Sequence, residues 1–336
     1  MNEQPGNQQE GPDGRVTVPC EICGSSRRGE LFVGRDRLLG LPGQFPVQRC
    51  QECGFIYTSP RPSDAALVQY YPQDYGVYSL EAGRASRVGM YQDRIARQLD
   101  RLVRGSDRRV LDVGCGDGLF LSLMAERGWT AHGLEMDSGA AGRAAARGGM
   151  EITVGTAEGA QFAPETFHLI TLSHVLEHLP HPREALRKVR EWLREDGVLF
   201  ITVPNAGSWE RRIFGEYWYH WDIPRHLLHF SPVSLHRLLR EEGFAAAQTG
   251  FLTGLFVPQS IRYMRQDRKH GAEQQGGQAV RKEETSPEQA QAGSLLKVKD
   301  RVKTLVFKLM LWIGERAGRF IQGEIMEITA VKATRS

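Results

Sequence analysis

Val110-Leu111-Asp112-Val113-Gly114-Cys115-Gly116-Asp117-Gly118-Leu119-Phe120 decides the fold of this 336-residue chain. Val110 to Val113 reads as a short buried parallel strand. A glycine-rich turn follows, and Leu119-Phe120-Leu121-Ser122-Leu123-Met124-Ala125 opens a helix. A strand, a bare-backbone turn and a helix N-terminus together hold an anionic or polar ligand group on backbone N–H donors. Gly114 and Gly116 remove side chains where a ligand must lie against the backbone, and Gly118 lets the helix start close to the strand.

The spacing selects the ligand. A dinucleotide fingerprint reads G-x-G-x-x-G; here the third glycine comes one residue early, position 119 is Leu, and Asp112 stands inside the strand two residues before the first glycine. This D-x-G-x-G-x-G pattern resembles motif I of class I S-adenosylmethionine (SAM) dependent methyltransferases. Their ligand has no pyrophosphate, so the loop has only to wrap a methionine carboxylate and amine. A second strand ends at Thr130-Ala131-His132-Gly133-Leu134-Glu135-Met136-Asp137. Glu135 stands roughly 20 residues beyond the glycine loop, where such folds place a carboxylate on ribose hydroxyls.

The resemblance extends further. Gly155-Thr156-Ala157-Glu158 matches the loop that lies against adenine, with Thr156 where the family often has Asp. Asp196 to Asn205 matches the fifth strand with its leading turn, and His168 stands where an Asp is common before strand four. Ser173 and His174 are expected below the methionine of SAM. The resemblance thus implies a SAM site of Asp112, Gly114, Gly116, Gly118, Glu135, Met136, Ala157, Glu158, Ser173 and His174.

Composition bounds the rest. Hydrophobic residues make up 40% of the chain, enough for a sizeable core, and a net charge of +3 is too small to argue for nucleic acid. The first 18 residues are polar and rich in Gly, Pro and Gln, and no apolar run reaches the roughly 18 residues of a membrane span, so the expectation is a cytoplasmic protein. Four of the five cysteines form the pairs Cys20-x-x-Cys23 and Cys50-x-x-Cys53, 26 residues apart. That spacing fits a closed, four-thiolate structural Zn2+ site. Cys115 reads as a small residue in the glycine turn.

The chain divides in order. Residues 1–14 read as disordered, 15–60 as a zinc-knuckle domain, and 61–107 as a linker with aromatic clusters and a cap helix from Arg87 to Val103. Residues 108–265 alternate strand and helix and form the SAM-binding core. Residues 266–294 read as a disordered insertion and 295–336 as a basic amphipathic helix with the last strand. Between 295 and 321, seven Lys/Arg stand against two acids beside an apolar stripe with Trp312 and Phe320. The helix is read as packed on the sheet or on a homodimer partner, with peripheral contact to an anionic membrane surface as the alternative. The expected fold is α/β: a doubly wound Rossmann-like class I methyltransferase sheet, mostly parallel with an antiparallel last strand, plus a small N-terminal zinc ribbon.

The stretch 209–232, after strand five, holds Tyr217, Trp218, Tyr219, His220, Trp221, Asp222, Arg225, His226 and His229. Aromatic and titratable groups on the ligand edge of a sheet suggest a substrate lid, with Tyr217, Trp218, Asp222 and Arg225 as acceptor contacts. His178, His220 and His226 are the candidate bases, and the pair Glu177–His178 is read as bracing its turn. The cysteine pairs, motif I, Glu177-His178-Leu179 and Pro224-Arg225-His226-Leu227-Leu228-His229-Phe230-Ser231 resemble a bacterial subgroup of class I methyltransferases with an N-terminal cysteine knuckle, many tied to polysaccharide or nucleotide-sugar pathways. That resemblance implies O- or C-methylation of a small-molecule or glycan-related acceptor, with no nucleic acid partner. The alternatives are a zinc-ribbon scaffold with a vestigial SAM fold, or a nucleic-acid methyltransferase, against which the lack of an N/D-P-P-Y/F/W motif counts.

Overall fold

The computed structural model describes residues 11, 14–72, 86–276 and 322–334. The expectations for linker residues 73–85, for the insertion beyond residue 276 and for the helix at 295–321 lie outside the described residues.

The N-terminal part carries β1 (Arg15–Val16), β2 (Arg28–Gly34), β3 (Phe45–Cys50), β4 (Ile56–Thr58), β5 (Arg61–Pro62) and a short α1 (Asp64–Leu67). α1 is capped by the Ser63 side chain, which accepts the Ala66 N–H. Then follow α2 (Arg87–Leu102), β6 (Arg109–Val113), α3 (Leu119–Ala125), β7 (Thr130–Glu135), α4 (Ser138–Arg147), β8 (Met150–Val154), β9 (Phe167–Ser173), α5 (Pro182–Trp192), β10 (Leu193–Pro204), α6 (Trp209–Phe214), β11 (Leu228–His229), α7 (Pro232–Glu241), β12 (Phe244–Leu252), α8 (Val257–Gly276) and β13 (Ile325–Lys332).

Seven strands form the central sheet in the order β12-β13-β10-β9-β6-β7-β8. β8, β7, β6, β9 and β10 run parallel, while β13 pairs antiparallel with β10. The mostly parallel sheet with flanking helices and a reversed late strand is the Rossmann-like methyltransferase fold expected. Central parallel strands are covered on both faces, which is why adjacent residues such as Val110 and Leu111, or Leu169 and Ile170, are apolar with almost no exposure. Strand order turns around between β6 and β9, so the crevice for a ligand opens at their carboxyl ends. α2 packs Ile95, Ala96 and Leu99 into one cluster with Val110, Leu121, Leu123, Met124 and Trp129. His168, unexplained in the sequence, accepts the Arg109 N–H on Nδ1 at 3.2 Å and so bridges the edges of β9 and β6.

The second sheet has an unexpected member. β2, β3 and β4 form the antiparallel ribbon around the cysteines, and β11 adds to its edge through Leu228↔Tyr57 and His229↔Ile56. The stretch read as a lid is therefore a strand and turn with little exposure: Ile223, Arg225, Leu227, Leu228 and Phe230 are all buried.

The chain separates into two compact units. One holds Met1–Ala206, Asp222–Gly250 and Ile325–Ser336, the other Gly207–Trp221 and Phe251–Glu324. Within the second, Tyr219 donates its N–H to Ser260 Oγ at 2.9 Å and stacks on Phe256. Trp218 and Trp221 meet edge to face at 5.4 Å. The disorder expected from Gln266 onward does not begin there, because α8 continues helical to Gly276.

Gly118 starts α3 at φ +76°, and a Cβ there would stand 2.9 Å from Ala144 Cβ and from Met150 Sδ. Gly118→Ala should lower unfolding free energy by about 1–3 kcal/mol, read by urea unfolding with an unchanged m-value.

Candidate functional site

The glycine turn is a built concavity. Gly114, Gly116 and Gly118 all have positive φ. Gly114 leaves no room for a side chain because Val175 Cγ2 would stand 2.5 Å from its Cβ. A Cβ on Gly116 would meet nothing within 4 Å, so this residue faces open space. Cys115 packs against Gly133, as a small core residue should. Asp117 is tied down by Arg147 from α4.

Glu135, at the end of β7, points into this turn. Its Oε2 accepts the Gly116 N–H at 2.8 Å and its Oε1 accepts the Asp137 N–H at 2.9 Å. Asp112 is fully buried in β6 and accepts the Thr171 hydroxyl proton at 2.5 Å. The Gly155 N–H donates to the Glu135 carbonyl, which brings the loop of Thr156, Ala157 and Glu158 beside that carboxylate. Ala157 is buried, Glu158 half-buried, and Met136 exposed. Ser173 is exposed at the end of β9 and shares a hydrogen bond with Thr202.

A dense polar cluster follows β9. His174 takes the left-handed conformation at φ +55°, a strained choice for a residue with a Cβ. Its Nδ1 lies 3.3 Å from Glu177 Oε1. His226 Nε2 lies 4.0 Å from the same oxygen, and the rings of His178 and His226 meet edge to face at 4.5 Å. Tyr71 Oη hydrogen-bonds His178 Nδ1 at 2.8 Å. The Leu227 N–H donates to the Glu177 carbonyl, and the Thr58 hydroxyl donates to the His226 carbonyl. The ribbon and the core thus jointly hold His226 against Glu177 and His178.

Arg225 has another task than the one expected of it. It is fully buried, donating through both terminal nitrogens to Asp36 at 2.8 and 2.7 Å and to Asp222 at 2.6 Å. Its fork is engaged within the protein, and it acts as a pin between β2's exit and the β11 turn. Asp222 is correspondingly the pin's second carboxylate. Trp218 and His220 are buried inside the second unit, with His220 walled by Trp218, Tyr219 and Phe256 and 3.8 Å from Glu324. Tyr217 is half-buried on a short turn of that unit. The structure brings together His174, Glu177, His178 and His226, whereas His220 is a core imidazole of the other unit. Sequence reasoning does not reach Asp36 and Thr58, since nothing in local spacing announces partners more than 100 residues distant.

The four paired cysteines converge. One sulfur from each lies within 4.8 Å of the others, and the Cys20–Cys53 and Cys23–Cys50 Sγ pairs are both 3.5 Å apart. Tetrahedral zinc with Zn–S bonds near 2.3 Å spaces its sulfurs by about 3.8 Å, so the cluster fits that ion. Each second cysteine is followed by a glycine at positive φ whose N–H returns to the first cysteine's carbonyl. No disulfide competes among these thiols.

Residues 87–249 match the family described as a methyltransferase domain. That stretch is similar to a methyltransferase domain over just under half of the chain. The chain is similar to the ubiquinone biosynthesis O-methyltransferases of Pseudomonas entomophila strain L48, at 34% identity, and Pseudomonas putida strain W619, at 36%, each over 115 residues. Those alignments cover 32% of this chain and 49% of either relative, so the chain spans about half the length of the curated relatives it matches. Among solved structures, a SAM-dependent methyltransferase from Archaeoglobus fulgidus aligns at 20% identity and a TM-score of 0.49, covering 77% of this chain and 100% of that one.

Electrostatics divide the acids of the glycine turn and of the cluster after β9. Burial pushes the Asp112 carboxyl up to about 7, with the Thr171 hydrogen bond opposing and Glu135 adding to the rise. Burial also raises Glu177, but the hydrogen bond and charge of His174 with the charges of His226 and His178 outweigh it and hold that carboxyl below its usual value. Burial, then the neighbouring His226, lowers His178 to about 4, which keeps its ring neutral at physiological pH. Burial acts upward on Asp222 as well, and the Arg225 guanidinium overrides it, bringing the group to about 2.

Arg225→Leu would leave Asp36 and Asp222 buried without their cation. It should cost about 3–5 kcal/mol of stability at neutral pH. The deficit should shrink as pH falls, because the stranded carboxylates then take up protons; urea unfolding across pH checks both signs.

Proposed function

We propose that this chain methylates the hydroxyl oxygen of a small-molecule acceptor, with SAM held at the carboxyl ends of β6, β7 and β9 and a structural zinc ion in the ribbon. The observation that carries the reading is the pairing of an open Gly116 backbone with a Glu135 carboxylate aimed at it. SAM, when bound, supplies a methyl group on a sulfonium, which is already a strong electrophile.

The residues of the chain do the rest. The turn at 114–118 offers backbone N–H groups and the N-terminal end of α3 to the ligand's carboxylate. Asp112, buried behind that turn, faces a ligand that carries an ammonium and a sulfonium, and gains its charge when such a cation arrives. Glu135 receives ribose hydroxyls with the oxygen lone pairs that its two backbone N–H partners leave over. Ala157 and Glu158 border the adenine side; Ser173 and His174 lie at the exit of β9, where the acceptor enters. Glu177, His178 and His226 form the polar wall on the acceptor side, and orientation of the hydroxyl there supplies much of the acceleration. Oxygen is favoured as the acceptor atom by the names of the curated relatives, both O-methyltransferases.

Titration calorimetry with SAM and S-adenosylhomocysteine tests the reading, and folded protein that gives no heat with either at millimolar concentration would remove it. Because Asp112 sits near 7 when free, a cationic ligand should bind with proton release around neutral pH, and affinity should rise with pH up to about 7 and level off above. Asp112→Asn should abolish that release, weaken SAM binding and raise Tm at pH above 7, since a buried charge disfavoured by folding is gone.

Chelation should extract one zinc per chain and lower Tm. Since β11 completes the ribbon sheet, the same treatment should also reduce methyl transfer, read with labelled SAM on a small-molecule extract.

A further inference from the structure

We propose that Glu177, His178 and His226 form a second metal site, for a divalent first-row transition ion, which takes the acceptor's hydroxyl oxygen as a further ligand. A carboxylate oxygen of Glu177 and one ring nitrogen from each histidine lie within 4.8 Å of one another. Donors on a common ion at about 2.1 Å stand roughly 3.0–3.4 Å apart, so rotamer adjustment closes the set.

Three further observations support it. Glu177 is 1% exposed, and its Oε2 has no hydrogen-bond partner among the described residues. A buried carboxylate oxygen so left is costly unless something fills the gap. His178 already has its Nδ1 on Tyr71 Oη at 2.8 Å, which leaves Nε2 as its nitrogen for an ion. Metal-binding histidines are oriented by such a second bond. Finally, the triad is braced through its backbone: the Leu227 N–H on the Glu177 carbonyl, the Thr58 hydroxyl on the His226 carbonyl, and the His226 N–H on the Asp222 carbonyl.

Two imidazoles and one carboxylate suit zinc, cobalt, manganese or iron(II), and leave positions open for other ligands. The site stands just past the carboxyl end of β9, and Val175, two residues before Glu177, touches Gly114 of the ligand turn. An acceptor hydroxyl bound there loses its proton to water more readily and keeps its electron pair for attack. The acceptor clause rests on the proposed methyl transfer; the metal site itself does not.

Cobalt(II) added to full-length protein carrying one zinc per chain, held by the thiolates, tests it. The expected result is one cobalt per chain with weak visible d–d bands, no near-ultraviolet thiolate band, and an X-ray absorption spectrum of imidazole and oxygen ligands without a sulfur shell. Glu177→Gln and His226→Gln should each weaken cobalt binding at least tenfold, and His236→Gln, on α7, should leave it unchanged. The spectrum of the unaltered protein decides the matter if a variant fails to fold. No cobalt beyond the thiolate cluster at millimolar ion, a sulfur shell, or full binding in both variants would overturn the proposal. SAM calorimetry run in parallel separates the two readings. Heat from SAM without cobalt binding sinks the metal site alone, and cobalt binding without SAM heat sinks methyl transfer alone.

Discussion

A single buried guanidinium holds the acceptor side of this protein in place. Arg225 reaches Asp36 on one side and Asp222 on the other, with no solvent to share its charge. Desolvating one cation and two carboxylates is expensive, and the arrangement is tolerable only because the bonds are short and bidentate. The return is positional. The next residue in the chain is His226, so the pin fixes where that imidazole stands, and the peptide beyond it enters the ribbon sheet as β11. Remove the pin and the histidine, the strand and the hydrogen bond from Leu227 to Glu177 lose their common anchor.

The two halves of the candidate site are built by different physics. The ligand turn is a backbone device: three positive-φ glycines, a carboxylate returning to one of their N–H groups, and the start of a helix. Such a device is local, set by a dozen consecutive residues and one partner strand. The acceptor side is a side-chain device assembled from β9's exit, the turn before β11, and Tyr71 near the ribbon. Its members approach from three parts of the sequence, and burial lowers the proton affinity of His178 among them.

That division explains what could be read beforehand. Motif I, Glu135 and the alternating strands were legible because periodicity and glycine spacing act over short distances. The cysteine pairs were legible because a tetrahedral thiolate cage imposes a regular knuckle. Arg225 was misassigned: an arginine among aromatics and histidines looks like a ligand clamp, and only Asp36, 189 positions earlier, reveals it as a buried ion pair. His220 failed for a similar reason, since composition cannot tell a core imidazole from one beside a substrate. Glu177 reads as a turn brace and does meet His174 three residues before it, while its approach to His226 has no local signal. Between Gln266 and Gly276 a helix stands where disorder is expected, because polarity without apolar period does not forbid helix when the residues themselves have good helical propensity.

Edge addition by β11 has a bearing on ancestry and engineering. A module that ended cleanly at residue 60 could be grafted, lost or exchanged as a cassette. Here the cassette's outermost strand is donated by a stretch some 170 residues later, so its sheet is finished only inside this host. Transplanting the cysteine ribbon to a foreign enzyme demands that 222–230 travel with it.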